Sequence, residues 1–186
     1  MFSRILYTTD DLTLTLLRLA LGVVFFAHGA QKTLGCFGGY GFKNTMSAFT
    51  SQMGIPAPLA VLVIAAEFFG GFGLIIGLLA RVAAIGVLCV MFGAILTHRH
   101  NGFFMNWYGN QQGEGIEFHL LAIALALAIV IGGSGAFSLD RVVSKSRSQA
   151  ASRMGSRQSA FSRDPRSDHR QAMCSTPLFD RAKPPS

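Results

Sequence analysis

His28 and Lys32 stand one helical turn apart, His98 and His100 form an HxH pair, and Glu114, Glu117 and His119 follow within one short stretch. Histidine relays protons near neutral pH or binds metal, and a glutamate that is desolvated beside it changes its hold on a proton. These seven residues are therefore where proton transfer or ligand binding would be built. The metal reading is the weaker. Glu117 and His119 are two residues apart and so leave a helix on different faces, and HxH in a loop offers only two ligands. No metal site is expected.

Two further ionisable residues lie inside apolar runs. Glu67 interrupts IAAEFFGG (Ile64 to Gly71), and Arg18 interrupts LTLTLLRLALGVVFFAHG. A charge inside a bilayer is costly and marks either a function or a buried pair. Arg18, Gly22, Phe25, Gly29 and Lys32 share one helical stripe, with the two charges about 21 Å apart along the axis. That stripe should face protein. On an antiparallel neighbour Glu67 falls about 14 Å below the outer end, near enough in depth for a pair with Arg18, whose planar fork suits a carboxylate. An Arg18–Glu67 pair is expected, either as a lock between two helices or as part of a site.

These residues need elements that hold them in an apolar medium. The 186 residues are 51% hydrophobic and 13% charged, with 21 glycines and 16 phenylalanines, which is too apolar and too charge-poor for an ordinary soluble domain. A bilayer core takes about 20 apolar residues per helix. Four segments approach that length, at about 12–34, 58–80, 82–97 and 116–133. The expected fold is all-α, a membrane protein built as a four-transmembrane-helix bundle over residues 1–141. A cleaved signal peptide is disfavoured, because Asp10, Asp11 and Arg18 interrupt the first apolar run and no A-x-A site follows it.

Residues 142–186 read differently. From Leu139 onward there are ten Lys/Arg against four Asp/Glu, while the first 138 residues hold six against five. Nine serines lie between Ser144 and Ser175 without an apolar period, so this stretch is expected to be a disordered, basic Ser/Arg-rich tail. Its arginines are dispersed and only Phe161 and Phe179 are aromatic, which argues against nucleic-acid binding. With alternating helices, Arg4, Arg81 and the tail fall on one side and Lys43 and Arg99 on the other, so both termini should be cytoplasmic.

Between the helices, the loops at 33–57 and 98–115 are rich in glycine and aromatics, as at a membrane interface. Gly35, Gly38, Gly39 and Gly41 lack a phosphate-loop ending and read as turn residues. Gly73 and Gly77 form a GxxxG suited to close helix packing. Cys36, Cys89 and Cys174 form no CxxC. LGVVFFAHGA (Leu21 to Ala30) echoes IGVLCVMFGA (Ile85 to Ala94), and both following helices carry a Glu-Phe dipeptide (Glu67-Phe68, Glu117-Phe118), a faint sign of duplication.

The order Arg18-x3-Gly22, His28-Gly29-x2-Lys32, Glu67-x2-Gly70-Gly71, Asn101-Gly-Phe-Phe104, Gly113-Glu-Gly115 and Gly133-Ser-Gly135-x2-Ser138-Leu139-Asp140 resembles the DoxX family of small four-helix bacterial inner-membrane proteins. The resemblance covers about 12–141; the tail departs from it. It implies a membrane component linked to respiratory or sulfur and thiol redox chemistry, with quinone as a possible reactant, redox proteins and lipid as partners, and a possible homo-oligomer. On that basis Glu67, Glu117 and His119 are candidate catalytic residues that would handle protons, and Arg18, His28 and Lys32 candidate substrate-binding residues that would attract an anion. No haem, flavin or iron–sulfur motif is present in the sequence, so electrons would come from a partner or pass directly to quinone. The alternative is a non-enzymatic scaffold, or a conduit for protons or a small solute.

Overall fold

In the computed structural model, residues 11–146, 149 and 154 are described. The first long helix, α1, spans Leu12–Leu34. The Asp11 side chain starts it by accepting from the Thr13 amide at 2.8 Å, which satisfies one of the amides a helix leaves open at its N-terminus. Gly35, at φ 71°, ends it in the left-handed conformation that glycine adopts without steric cost. The next segment is not a plain loop: a 3-10 turn at Cys36–Gly38 leads into α2, Gly41–Ser47, and a π turn at Ala48–Gln52.

α3 runs Ala57–Ile76 with a proline in its first turn, where a missing N–H costs nothing. It stops short of the expected residue 80. Gly77 takes φ 70° and Leu79 φ 50°, so the chain reverses within three residues and α4 already begins at Ala80, continuing to His98. This also corrects the GxxxG reading, because Gly77 lies beyond the helix end and is a turn residue. A 3-10 turn, Arg99–Asn101, follows. α5 covers Glu117–Gly132, and a last helical stretch occupies 139–146.

The helices pack in a ring: α1 against α3, α3 against α4, α4 against α5, and α5 back against α1. The core between them is made of Leu21, Phe25, Leu74, Val87, Val90, Met91 and Ile129, with Ala80, Ala84, Ala122 and Ala126 where helices approach closely. Among the described residues there is no strand. Three helices are long and apolar enough to cross a membrane, at Leu12–Leu34, Ala57–Ile76 and Ala80–Asn101, whereas α5 is a shorter apolar helix of 16 residues. Their outward faces are apolar, with Leu16, Val23, Leu62, Phe69, Phe92, Leu96 and Leu121 all exposed. In a bundle without a surrounding apolar phase that surface would be an aggregation liability.

The chain divides into two compact units, 1–144 and 145–186, and the bundle lies in the first. In the second, Lys145, Ser146, Gln149 and Met154 are helical. The expectation of disorder over 142–186 lies for the most part outside the described residues; of this stretch 142–146, 149 and 154 are described, and they are helical.

Candidate functional site

Glycine sets the register of α1 against α3, and the register decides which charges meet. A Cβ at Gly29 would lie 2.5 Å from the Cα and backbone N of Phe68, and one at Gly71 would collide with the backbone of Phe26. A Cβ on Gly22 would come within 3.0 Å of Leu74 Cβ and the Ile75 amide. The two helices therefore touch backbone to backbone, as small residues allow in apolar bundles. Since they are antiparallel, moving from Gly29 to Gly22 on α1 moves from Glu67 to Leu74 on α3. Arg18, one turn further, arrives at the end of α3, and Lys32 arrives beside Glu67.

The expected Arg18–Glu67 pair is therefore not formed. Glu67 pairs instead with Lys32, whose ammonium donates a hydrogen bond to Oε2. The carboxylate is buried (side chain 7% exposed) and the lysine is partly open at 25%. Phe26 stacks on Phe68 with centroids 5.2 Å apart and lies 6.2 Å from Phe72 at a tilt. Phe68 follows Glu67 directly on α3, so this partly exposed aromatic group adjoins the ion pair.

Arg18 is buried at the other end of the bundle, 1% exposed. Its Nη1 donates to the carbonyls of Leu74 at 2.6 Å and Ile75 at 3.1 Å, and Nη2 donates to the Phe137 carbonyl at 2.5 Å. Nearby Asp140, fully buried, accepts from the Leu79 amide at 2.7 Å, the Ala80 amide at 3.1 Å and the Ser134 hydroxyl at 2.5 Å. Arg18 and Asp140 are also close enough to interact electrostatically. Both sides of the Gly77–Leu79 turn are capped by side chains from elsewhere, a cation on the last carbonyls of α3 and an anion on the first amides of α4, each at the helix end its sign favours. A Cβ on Gly77 would strike Ser138 and the guanidinium. Thr15 completes this clamp, its hydroxyl accepting from the Ala136 amide at 2.9 Å.

Asp140, Ser134 and Thr15 were given no role from the sequence. The signal available was the polar run Gly133 to Asp140 straight after an apolar helix, where such residues must find buried partners.

At the end of the bundle opposite Arg18, α4 and α5 bring two histidines together. The rings of His98 and His119 stack with centroids 5.3 Å apart at 30°. His119 is 8% exposed, and its Nδ1 is enclosed without a formed hydrogen bond, although the Gly115 and Ile116 carbonyls lie close enough to interact with the ring. Phe118 packs edge-on to His119 at 5.9 Å and meets the ring of His28, from α1, at 6.1 Å. A chain of rings therefore runs across three helices from His28 to His98, and Lys32 stands one turn from His28 on α1.

Glu114 and Glu117 are spent largely on the loop. Glu114 accepts from the Asn106 amide at 3.0 Å and Glu117 from the Met105 amide at 3.2 Å. The Glu117 amide donates to the Phe103 carbonyl at 2.9 Å, and the Asn101 side chain donates to the Glu114 carbonyl at 3.1 Å. His100 Nε2 accepts from Arg99 Nε at 3.4 Å. No group of three or more His, Cys, Asp or Glu residues that could hold a metal ion occurs among the described residues. The structure thus brings together Glu67 with Lys32, and His119 with His98 and, through Phe118, His28. It sets Glu117 into the loop and separates Arg18 from all of them.

An apolar helical bundle with its ionisable residues gathered in two buried clusters, one at each end, defines a small helical membrane protein. The family model described as DoxX matches residues 13–100, which includes both glycine-packed helices and the Lys32–Glu67 pair. Over 132 residues the chain is 31% identical to a protein of Bacillus subtilis (strain 168) named "Putative oxidoreductase CatD", an alignment covering 71% of this chain and 87% of that protein. This chain belongs to the DoxX family. No solved structure matches it.

Proposed function

We propose that the protein is a four-span bacterial inner-membrane subunit of a respiratory or sulfur/thiol redox system, acting beside quinone, with both termini cytoplasmic. The observation that carries this reading is His119, an imidazole 8% exposed and stacked on His98 at the end of the bundle that also holds Glu67 and Lys32. A general acid or base has to be reachable by the proton it moves and held in one place. Quinone reduction takes two electrons and two protons. With a thiol donor, two S–H bonds break, one S–S bond forms, and the electrons and protons released convert quinone to quinol. Here a partner redox protein carries the electrons, His119 passes protons to the quinone oxygen, and Glu117 is the second candidate. The relative's name, which includes oxidoreductase, agrees with this reading.

In this reading Lys32 is held neutralised by Glu67, and His28 is the exposed member of the group on α1. Arg18 serves the clamp and not the substrate. The fourth crossing is α5, whose 16 residues reach about 24 Å at 1.5 Å per residue. That is short of a bilayer core of about 30 Å and is accommodated by local thinning.

The test is quinone reduction by the purified protein in lipid nanodiscs, with thiosulfate or a thiol as donor, alone and with proteins co-purified from native membranes. Turnover in the wild type and a loss of about 10²-fold in His119→Gln is expected, the scale of one acid–base group. If no combination turns over, the second reading stands: a scaffold or conduit, favoured by the Arg18–Asp140 clamp, in which buried charge serves only to hold helices.

A further inference from the structure

The Nδ1 of His119 is enclosed without a formed hydrogen bond, so the rings packed against it have a share in keeping it in one orientation. His98 is fixed. Its Nδ1 lies 2.9 Å from the Ala94 carbonyl and 2.8 Å from the Thr97 hydroxyl. A carbonyl oxygen can only accept, so Nδ1 of His98 carries the hydrogen in this contact. The Thr97 hydroxyl donates its own hydrogen to the same Ala94 carbonyl at 2.8 Å. One turn of α4 therefore holds the His98 ring through two acceptors, and that ring lies flat against His119. Phe118 meets the His119 ring edge-on at 5.9 Å, and its own ring is 6.1 Å from that of His28.

We propose that His98 is a positioning residue for His119: its imidazole, anchored on Ala94 and Thr97 at the end of α4, is the wall that holds the His119 ring in the orientation used by the reaction. This rests on the proposed role of His119. What the role requires of His98 is a flat ring at that place, not a second proton carrier. Glu117, the nearest carboxylate in sequence, is turned to the Met105 amide and does not take over the task. A misplaced reacting group commonly costs around 10²-fold in rate, which sets the size of the effect.

The experiment compares wild type, His98→Ala and His98→Phe in nanodiscs with two readouts. In the quinone reduction assay, His98→Ala should lower kcat/KM by about 10- to 100-fold and His98→Phe should restore most of it. In protein labelled with ¹⁵N-histidine, the His119 ring signal, assigned by its loss in His119→Gln, should be single and sharp in wild type and His98→Phe and split or broadened in His98→Ala. Equal losses in His98→Ala and His98→Phe would overturn the proposal, since His98 would then be needed for its nitrogens. So would a His119 signal unchanged in all three proteins. If wild type shows no turnover while the ring signal follows the expected pattern, the redox reading fails and the positioning of His119 stands.

Discussion

Lys32 and Glu67 are unequal partners. The carboxylate is enclosed and the ammonium partly reaches solvent, so removing the lysine strands a buried charge while removing the charge on the glutamate leaves a lysine that can still hydrate. Lys32→Ala should therefore destabilise the protein more than Glu67→Gln, a reversal of the equal penalties that an Arg18–Glu67 pair would have given. Arg18→Ala should exceed both, at about 3–5 kcal/mol, because it leaves the buried Asp140 without its cation and takes a charged donor from the carbonyls of Leu74, Ile75 and Phe137. Unfolding of the three variants in detergent, followed by circular dichroism, gives the order; a Glu67→Gln variant as damaged as Arg18→Ala would contradict it. The sequence showed that Glu67 and Arg18 had to be partnered, because a lone charge in an apolar run is too costly. It did not show with whom, since partner choice depends on the register of two helices, and helix ends uncertain by a turn shift that register by a whole residue contact.

The helices themselves were plain in the apolar runs, and the ends that differed did so at glycine. Gly77 appears mid-run in the sequence, followed by Leu-Leu-Ala, and nothing apolar marks the turn there. Gly77 ends α3 in the left-handed conformation, Arg18 caps its last carbonyls and Asp140 the first amides of α4, both from positions distant in the chain. The packing glycines were only half legible: the stripe holding Gly22 and Gly29 on α1 is expected to face protein, but close packing on α3 is expected at Gly73 and Gly77, whereas the glycine that meets α1 is Gly71. The repeat between the first and third apolar segments pairs Gly29 with Gly93. In the structure a Cβ on Gly29 meets the α3 backbone, whereas one on Gly93 meets nothing within 4 Å. Gly29→Ala should accordingly push α1 from α3 and lower folded yield sharply, while Gly93→Ala should be neutral or gain about 0.5–1 kcal/mol from helix propensity. Equal losses at both positions, read as monodisperse protein recovered from membranes, would mean that the two halves pack alike after all.

At the level of the whole molecule, the all-helical membrane class followed from composition, because a chain half apolar with so few charges cannot cover its surface in water. At the Arg18 end only the need for buried partners was legible, at Arg18 and in the run Gly133 to Asp140; the clamp joins residues 11–18, 74–80 and 134–140, which no local pattern connects. The outer chain of rings was half visible, as histidines of similar depth without their stacking. The clamp also predicts a boundary. A chain ending at residue 132 should lose the bundle, and one ending at residue 146 should keep it, as measured by thermal unfolding in detergent; equal stability of the two would show that the segment after α5 is dispensable.

The position of Asp140 bears on how the protein is made. The amides it caps, on Leu79 and Ala80, leave the ribosome sixty residues before the carboxylate that satisfies them. Until then the hairpin of α3 and α4 is held only by its own packing and by Arg18 from above. Three helices can be in the membrane while the turn between two of them is still unfinished, and the last short stretch of the bundle to be synthesised closes a corner laid down near its middle. Insertion of this protein would then end in a single late locking event instead of a helix-by-helix gain in stability.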